Sequence, residues 1–127
     1  MPRQRIHTDN APQPGGTYSQ GIEVDGWIYV AGQVPIDPAT GEFVEDDIKV
    51  QTDRVLKNLK AIVEAGGATI EDVVKTTVFL ADLSEFGDMN EIYGQYFSGD
   101  MPPARATVEV AALPRGCKIE VDAVAKK

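Results

Sequence analysis

The chain has 127 residues, of which 43% are hydrophobic and 25% are charged, and its net charge at pH 7 is −8. This composition is typical of one soluble globular domain, so residues 1–127 are treated as a single domain. The negative charge argues against broad nucleic-acid binding, and neither a membrane-spanning apolar run nor a signal-peptide core is recognisable. We therefore expect a cytosolic (cytoplasmic) protein with no nucleic-acid or membrane partner.

The residue types that bind metal ions give little support for a metal site. One histidine, His7, lies in an N-terminus that is expected to be mobile, and the single cysteine, Cys117, cannot form a disulfide within the chain. The acidic residues 45–47 lack the spacing of a calcium loop and fit the first turn of a helix. We expect no metal, and we interpret Cys117 as structural.

The first half of the chain begins with loop-forming residues over 8–16 and continues into two predicted strands. Residues 17–24 form the first strand, and the Asp25-Gly26 pair is typical of a type I′ turn. The return strand, residues 27–31, is almost wholly apolar, so both of its faces are expected to be covered. It ends near Gly32, where a missing side chain suits either a bulge or the close approach of a ligand.

A long helix is predicted over 48–65, because apolar residues recur there at spacings of three and four. Two glycines follow it, as is common after the last turn of a helix. A short capped turn at 69–72 leads into a strand over 73–81, which has apolar side chains on both faces. Val74 and Val78 are expected to share one of those faces.

A second helix is predicted over 84–97 from the same spacing of apolar residues. Asn90 interrupts its apolar face, and a polar amide there needs partners, so it makes either a structural contact or a ligand contact. The element order predicts an α+β fold, a mixed and mainly antiparallel sheet with two helices on one face. Because two helices cannot cover both faces of the sheet, we expect a homo-oligomer.

Two strands end the chain, over 104–110 and 118–124, and each has a polar row. The first row contains Arg105, whose guanidinium is well shaped to bind a carboxylate, although an exposed arginine without a partner gives the same pattern. The second row contains Glu120. If the two strands formed a hairpin, Arg105 and Glu120 would lie about four residues apart, roughly 13 Å. That separation is too long for a salt bridge and fits the two ends of a cleft, or a cleft between subunits.

Six segments, in order along the chain, resemble the RidA (YjgF) family of reactive enamine/imine deaminases. They are YSQG at 18–21, VAGQVP at 30–35, NLKAI at 58–62, VKTTVFL at 74–80, PARA at 103–106 and KIEVDAVA at 118–125. The similarity runs from about residue 8 to the C-terminus.

The resemblance implies a homotrimer of chorismate-mutase-like subunits with clefts between neighbouring chains. It implies that Arg105 binds the substrate carboxylate, that Glu120 binds and activates water, and that Tyr18, Gly32 and Asn90 line the same cleft. The implied reaction is the hydrolysis of 2-aminoacrylate and related enamines and imines to 2-keto acids and ammonia, without a cofactor.

Three positions depart from the family pattern. Thr17 stands where the family often has proline before the tyrosine, Ala31 where it often has serine, and Thr107 where it often has cysteine. Ala31 and Thr107 are therefore expected to affect the substrate range of the pocket. Two other functions stay open: a non-catalytic module that binds 2-keto acids or other small carboxylates, and an endoribonuclease, which the acidic charge disfavours.

Overall fold

The computed structural model describes residues 2–127, which form eight strands and two α-helices. In chain order these are β1 (Gln4–Ile6), β2 (Gly21–Val24), β3 (Trp27–Gln33), β4 (Ile36–Asp37), β5 (Glu42–Phe43), α1 (Ile48–Ala65), β6 (Val73–Leu80), α2 (Phe86–Tyr96), β7 (Ala104–Glu109) and β8 (Ile119–Lys126). None of the helices formed by these residues is long and apolar enough to cross a membrane.

The main sheet has six strands in the order β1-β2-β3-β8-β6-β7, and β4 and β5 form a small separate hairpin. All neighbours in the main sheet are antiparallel except β6 and β7, which are parallel. The parallel pair is connected through α2, as parallel strands require a long crossover. The predicted α+β class with a mixed, mainly antiparallel sheet is confirmed.

The predicted hairpin between the last two strands is wrong. β6 lies between β7 and β8, and β8 pairs with β3 on its other side. Glu120 therefore lies opposite Phe79, and Arg105 lies opposite Thr76 at the outer edge of the sheet. The separation of roughly 13 Å rested on the hairpin register, so it no longer holds.

Both helices pack on the same face of the sheet. One row of paired residues crosses that face: Ile6, Gly21, Val30, Ala123, Thr76 and Arg105. Residues paired in this way point to the same side. Tyr93 of α2 shares a hydrogen bond of 2.7 Å with the Thr76 hydroxyl, and an added Cβ at Gly21 would meet Ile62 of α1. The row ends at Arg105, which therefore faces the helices.

The other side of the sheet, here called the open face, is not covered within one chain. The prediction that residues 27–31 are covered on both faces is not met there, because Trp27 is 39% and Tyr29 is 48% exposed. Val108 of β7 is 40% exposed on the same side. The open face thus presents large apolar side chains, which soluble proteins commonly use to contact another molecule.

The helix α1 begins and ends close to the predicted positions. Asp47 is its N-cap and accepts a hydrogen bond of 3.0 Å from the Val50 N–H, so residues 45–47 precede the first turn and do not form it. The buried face of the helix is mainly apolar, as the spacing predicted, and it also contains Gln51, Thr52 and Asn58. Tyr96 of α2 donates a hydrogen bond of 2.6 Å to the Asp53 carboxylate and ties the two helices together.

Several strands differ from the sequence prediction. The strands β4 and β5 were not predicted, and β3 and β8 each end two residues later than predicted. Residues 4–6 form a strand that was not predicted, and β2 begins at Gly21, later than the predicted start at residue 17. The type I′ turn is confirmed, since Asp25 and Gly26 have φ values of 54° and 81°. An irregular register between Val73 and Lys75 buries Val73 and exposes Val74, so Val74 does not share a face with Val78.

Candidate active site

Glu120 lies on the open face of β8, the strand between β3 and β6, beside an irregularity in β3. The pairing of β3 with β8 shifts between Val30 and Gln33, which marks a bulge at Ala31 and Gly32. A Cβ added to Gly32 would lie 3.0 Å from the Glu120 Cδ and would overlap its Oε2. The predicted bulge at Gly32 is therefore confirmed, and the close approach of a ligand there stays a prediction. The missing side chain of Gly32 leaves space for the Glu120 carboxylate.

The surroundings of Glu120 raise the proton affinity of its carboxylate. Burial raises the pKa of the Glu120 carboxyl, and the negative charge of Asp122, two residues along the strand, raises it further. Within residues 2–127 no lysine or arginine forms an ion pair with Glu120. A carboxylate with raised proton affinity and no counter-ion is suited to accept a proton from a bound water molecule.

Glu120 lines a cleft of about 620 Å³. The predicted residues Tyr18, Ala31 and Gly32 line the same cleft, so the structure brings four of the predicted site residues together. Tyr18 is 55% exposed, and its hydroxyl accepts a hydrogen bond of 3.1 Å from the Gly15 N–H. This bond connects the tyrosine ring to the loop that precedes it.

The wall of the cleft formed by residues 33–36 is held from the core side by α1. The buried Asn58 side chain donates hydrogen bonds to the carbonyl groups of Val34, at 3.2 Å, and Ile36, at 2.9 Å. Arg54 donates to the Asn58 oxygen at 3.1 Å and fixes the orientation of the amide. These hydrogen bonds attach the wall between the end of β3 and the start of β4 to the helix α1.

Arg105 is held in place by the helix α2. Its Nη1 donates a hydrogen bond of 2.7 Å to the Asn90 side-chain oxygen. Its guanidinium carbon lies 4.6 Å from the ring centre of Tyr93 and 5.3 Å from that of Phe86. Cation–π contacts and one hydrogen bond orient the planar group while leaving other N–H donors for a ligand. Asn90 is exposed and makes a structural contact to Arg105, one of its two predicted roles.

Thr107 follows Arg105 on the same row of β7. Its hydroxyl is buried and has no hydrogen-bond partner within residues 2–127. A buried hydroxyl of this kind usually lowers stability, because it has lost its hydration without gaining a partner. Because this hydroxyl points into the protein, we expect Thr107 to affect the packing beneath Arg105.

The predicted site residues fall into two groups in one chain. Tyr18, Ala31, Gly32 and Glu120 lie in the cleft on the open face, whereas Arg105, with Asn90 and Thr107, faces the helices. One chain therefore does not bring Arg105 and Glu120 together. The order strand, helix, strand in the sequence indicates that β7 lies beside β6. It does not indicate which face of the sheet Arg105 occupies.

Arg115 and Phe43 are among the cleft residues that the sequence reasoning missed. The Arg115 guanidinium carbon lies 5.7 Å from the centre of the Phe43 ring, and both side chains line the cleft with Glu120. The sequence around Arg115, LPRG at 113–116, indicates only a turn. Nothing in a turn sequence indicates which surface the turn lies beside. Within residues 2–127, no group of three or more His, Cys, Asp or Glu side chains is placed to hold a metal ion.

Comparisons with known proteins agree with this architecture. Residues 8–127 match the family model described as Endoribonuclease L-PSP. A RutC family protein of Pyrococcus abyssi is 54% identical over 100% of this chain and 99% of its own length. The mouse 2-iminobutanoate/2-iminopropanoate deaminase is 48% identical over 97% of this chain and 90% of its own length.

A solved structure gives the same result for the fold. The crystal structure of E. coli TdcF with bound serine superposes with a TM-score of 0.93 at 39% identity, covering 98% of each chain. The family model covers nearly the whole chain, and the relatives match it from end to end. The chain therefore belongs to the RidA (YjgF/RutC) family.

Proposed function

We propose that this protein hydrolyses reactive enamine and imine intermediates, such as 2-aminoacrylate, to 2-keto acids and ammonia. The observation that carries the proposal is the Glu120 carboxylate, seated over Gly32 in an open cleft without a counter-ion. The mouse relative, named as a deaminase of this kind, supports the same reaction class. A cytosolic location and the absence of a cofactor belong to this proposal.

The reaction needs a positioned substrate and a proton acceptor. An enamine tautomerises to an imine, whose carbon accepts water once the water has lost a proton to Glu120. Water addition forms one C–O bond and breaks the C=N π bond, and the nitrogen takes up a proton to give a carbinolamine. The nitrogen then takes up a second proton and leaves as ammonia when the C–N bond breaks, while the carbinolamine hydroxyl loses its proton and its oxygen forms the C=O bond of the 2-keto acid. Arg105 binds the substrate carboxylate with two parallel N–H donors and so aims the imine carbon at the water.

We propose that the two halves of the site meet between copies of the chain, in a homotrimer. Two observations support assembly: Arg105 and Glu120 belong to opposite faces of one sheet, and the open face presents Trp27, Tyr29 and Val108 to solvent. An interface that covers this face would bury its apolar side chains and bring a second chain to the Glu120 cleft. Light scattering that finds a stable monomer at micromolar concentration would refute the assembly.

Turnover is tested by coupling the protein to an enzyme that releases 2-aminoacrylate and following the decay of that intermediate. We expect acceleration by the natural chain and none by Arg105→Ala or Glu120→Gln. If the natural chain gives no acceleration, or if both variants match it, the proposed reaction is wrong.

Mixing the two inactive variants tests the shared site. After subunit exchange at equal amounts, about one quarter of the sites would combine an intact Arg105 with an intact Glu120 from different chains. Recovery of activity near that level supports a site between chains. No recovery, with mixed oligomers demonstrated by mass spectrometry, would place both residues of each site in one chain.

A second candidate is a non-catalytic module that binds 2-keto acids or other small carboxylates and regulates a partner enzyme. The pre-oriented Arg105 guanidinium suits that role equally well, and TdcF was crystallised with serine, a small molecule that has a carboxylate. Calorimetric binding that requires Arg105, together with no turnover of any imine, would favour this candidate over the deaminase. The description of the family model as an endoribonuclease is tested with single-stranded RNA in the same preparations.

A further inference from the structure

The Glu120 cleft contains a cation that the proposed reaction does not use. Among the described residues that line the cleft, Glu120 and Arg115 are the two charged ones. Arg115 is exposed, rests against the Phe43 ring and forms no ion pair within residues 2–127. Its side-chain N–H groups also have no acceptor in that part of the chain, so they are available to a ligand.

The backbone conformation at Arg115 is unfavourable for a residue that has a side chain. Arg115 has φ 54° and ψ 24°, in the left-handed region, and Gly116 after it has φ 70°. A residue with a Cβ in this region costs of order 1 kcal/mol relative to glycine. An arginine at a position that favours glycine suggests that the guanidinium itself is useful in the cleft.

The charges in the cleft indicate which ligands Arg115 would bind. The substrate's own carboxylate is assigned to Arg105, and Glu120 adds a negative charge to the cleft. A substrate with a second carboxylate would meet strong repulsion there unless a further cation neutralised it. Arg115 is the group in the cleft that can do so, through the bidentate geometry that guanidinium and carboxylate share.

Resting on the proposed function, we propose that Arg115 binds the distal carboxylate of acidic substrates. The site would then take imines of acidic amino acids, that is, 2-imino dicarboxylates, in addition to small monocarboxylates. Arg105 binds the carboxylate next to the reacting carbon, and Arg115 binds the one at the far end. Phe43 supports the guanidinium from its other side.

Binding of stable 2-keto acids tests the assignment without requiring turnover. The probes are 2-oxoglutarate and 5-methyl-2-oxohexanoate, in which an isopropyl group replaces the distal carboxylate. By calorimetry we expect the natural chain to bind 2-oxoglutarate at least about ten-fold more tightly. Arg115→Gln should remove this preference and Arg115→Lys should keep part of it, whereas Arg3→Gln, an equal charge change outside the cleft lining, should keep it all.

Turnover is compared on imines generated in place by an amino-acid oxidase, from glutamate and from leucine. We expect Arg115→Gln to lower the ratio of kcat/KM for the dicarboxylate to that for the monocarboxylate by about ten-fold, mainly through KM. Arg115→Gly, which suits the backbone, should give the same change and excludes a folding defect.

The two proposals fail in different ways. If the natural chain has no preference for 2-oxoglutarate, or if the preference survives Arg115→Gln, the assignment of Arg115 is overturned. If the preference exists and needs Arg115 but no imine is turned over, the distal carboxylate site stands and the deaminase proposal is overturned.

Discussion

Replacing Gly32 by alanine would add a single methyl group and so test whether the position of the Glu120 carboxylate matters for catalysis. The new Cβ would lie 3.0 Å from the Glu120 Cδ, inside the ordinary contact distance of 3.4 Å, and would overlap Oε2. Gly32 does not have a positive φ, so the backbone itself accepts alanine. The carboxylate is the end of a flexible side chain and can swing away at little cost in stability, by roughly 1 Å, and a misplacement of that size costs on the order of 100-fold in turnover.

The measurement is the decay of enzymatically generated 2-aminoacrylate, together with the thermal unfolding midpoint of each variant. Gly94→Ala in α2 is the matched control, because an added Cβ there meets nothing within 4 Å and alanine favours a helix. We expect Gly32→Ala to lose roughly 100-fold in kcat/KM while its midpoint stays close to that of the natural chain. Retention of activity within a few-fold would show that the position of Glu120 over Gly32 is not needed for catalysis.

The remaining predictions concern Asn90, Glu120 and the two threonines Thr107 and Thr76. Asn90→Ala removes the hydrogen bond to Arg105, and we expect KM to rise by about ten-fold with a smaller effect on kcat. Burial raises the pKa of Glu120, so kcat/KM should rise with pH through a value above the usual carboxylate range. A raised pKa means that the ionised carboxylate at neutral pH lowers the stability of the folded state. Glu120→Gln should therefore raise the thermal unfolding midpoint at neutral pH while stopping turnover. An unchanged or lower midpoint would contradict this expectation. Thr107→Val removes a buried, unpaired hydroxyl. It should raise the free energy of unfolding, measured in urea, by about 1 kcal/mol. Thr76→Val removes the hydrogen bond between the Thr76 hydroxyl and Tyr93 and should lower the free energy of unfolding. Equal effects of the substitutions at Thr107 and Thr76 would refute this expected difference.

The helices were predictable because their signal is local. The apolar spacing of α1 and the glycines after it depend on residues close together in the chain, and α1 begins and ends where this spacing predicts. The pairing of strands is not local in this sense. The hairpin prediction for β7 and β8 failed because the crossover through α2 places β7 on one side of β6, whereas β8 pairs with the other side of β6. The two strands follow each other in the sequence but are not neighbours in the sheet.

The candidate site was predictable as a set of residues but not as a geometry. Glu120, Tyr18, Ala31 and Gly32 do share a cleft. The bulge that places Gly32 beneath the Glu120 carboxylate depends on how two strands far apart in sequence align. Arg115 was missed for the same reason, since only the folded chain brings its turn to the rim of that cleft.

The tie between Asn58 and residues 34–36 bears on how the cleft moves. The Asn58 side chain bonds the carbonyl groups of Val34 and Ile36, and the Ile36 N–H bonds the Val34 carbonyl as well. Amide hydrogen exchange of Ile36 is therefore expected to follow the slow opening of α1, although the segment before it is not regular. The segment 13–18, with its exposed tyrosine, would exchange early. A ligand would thus meet one wall that keeps its shape and one that adapts to it.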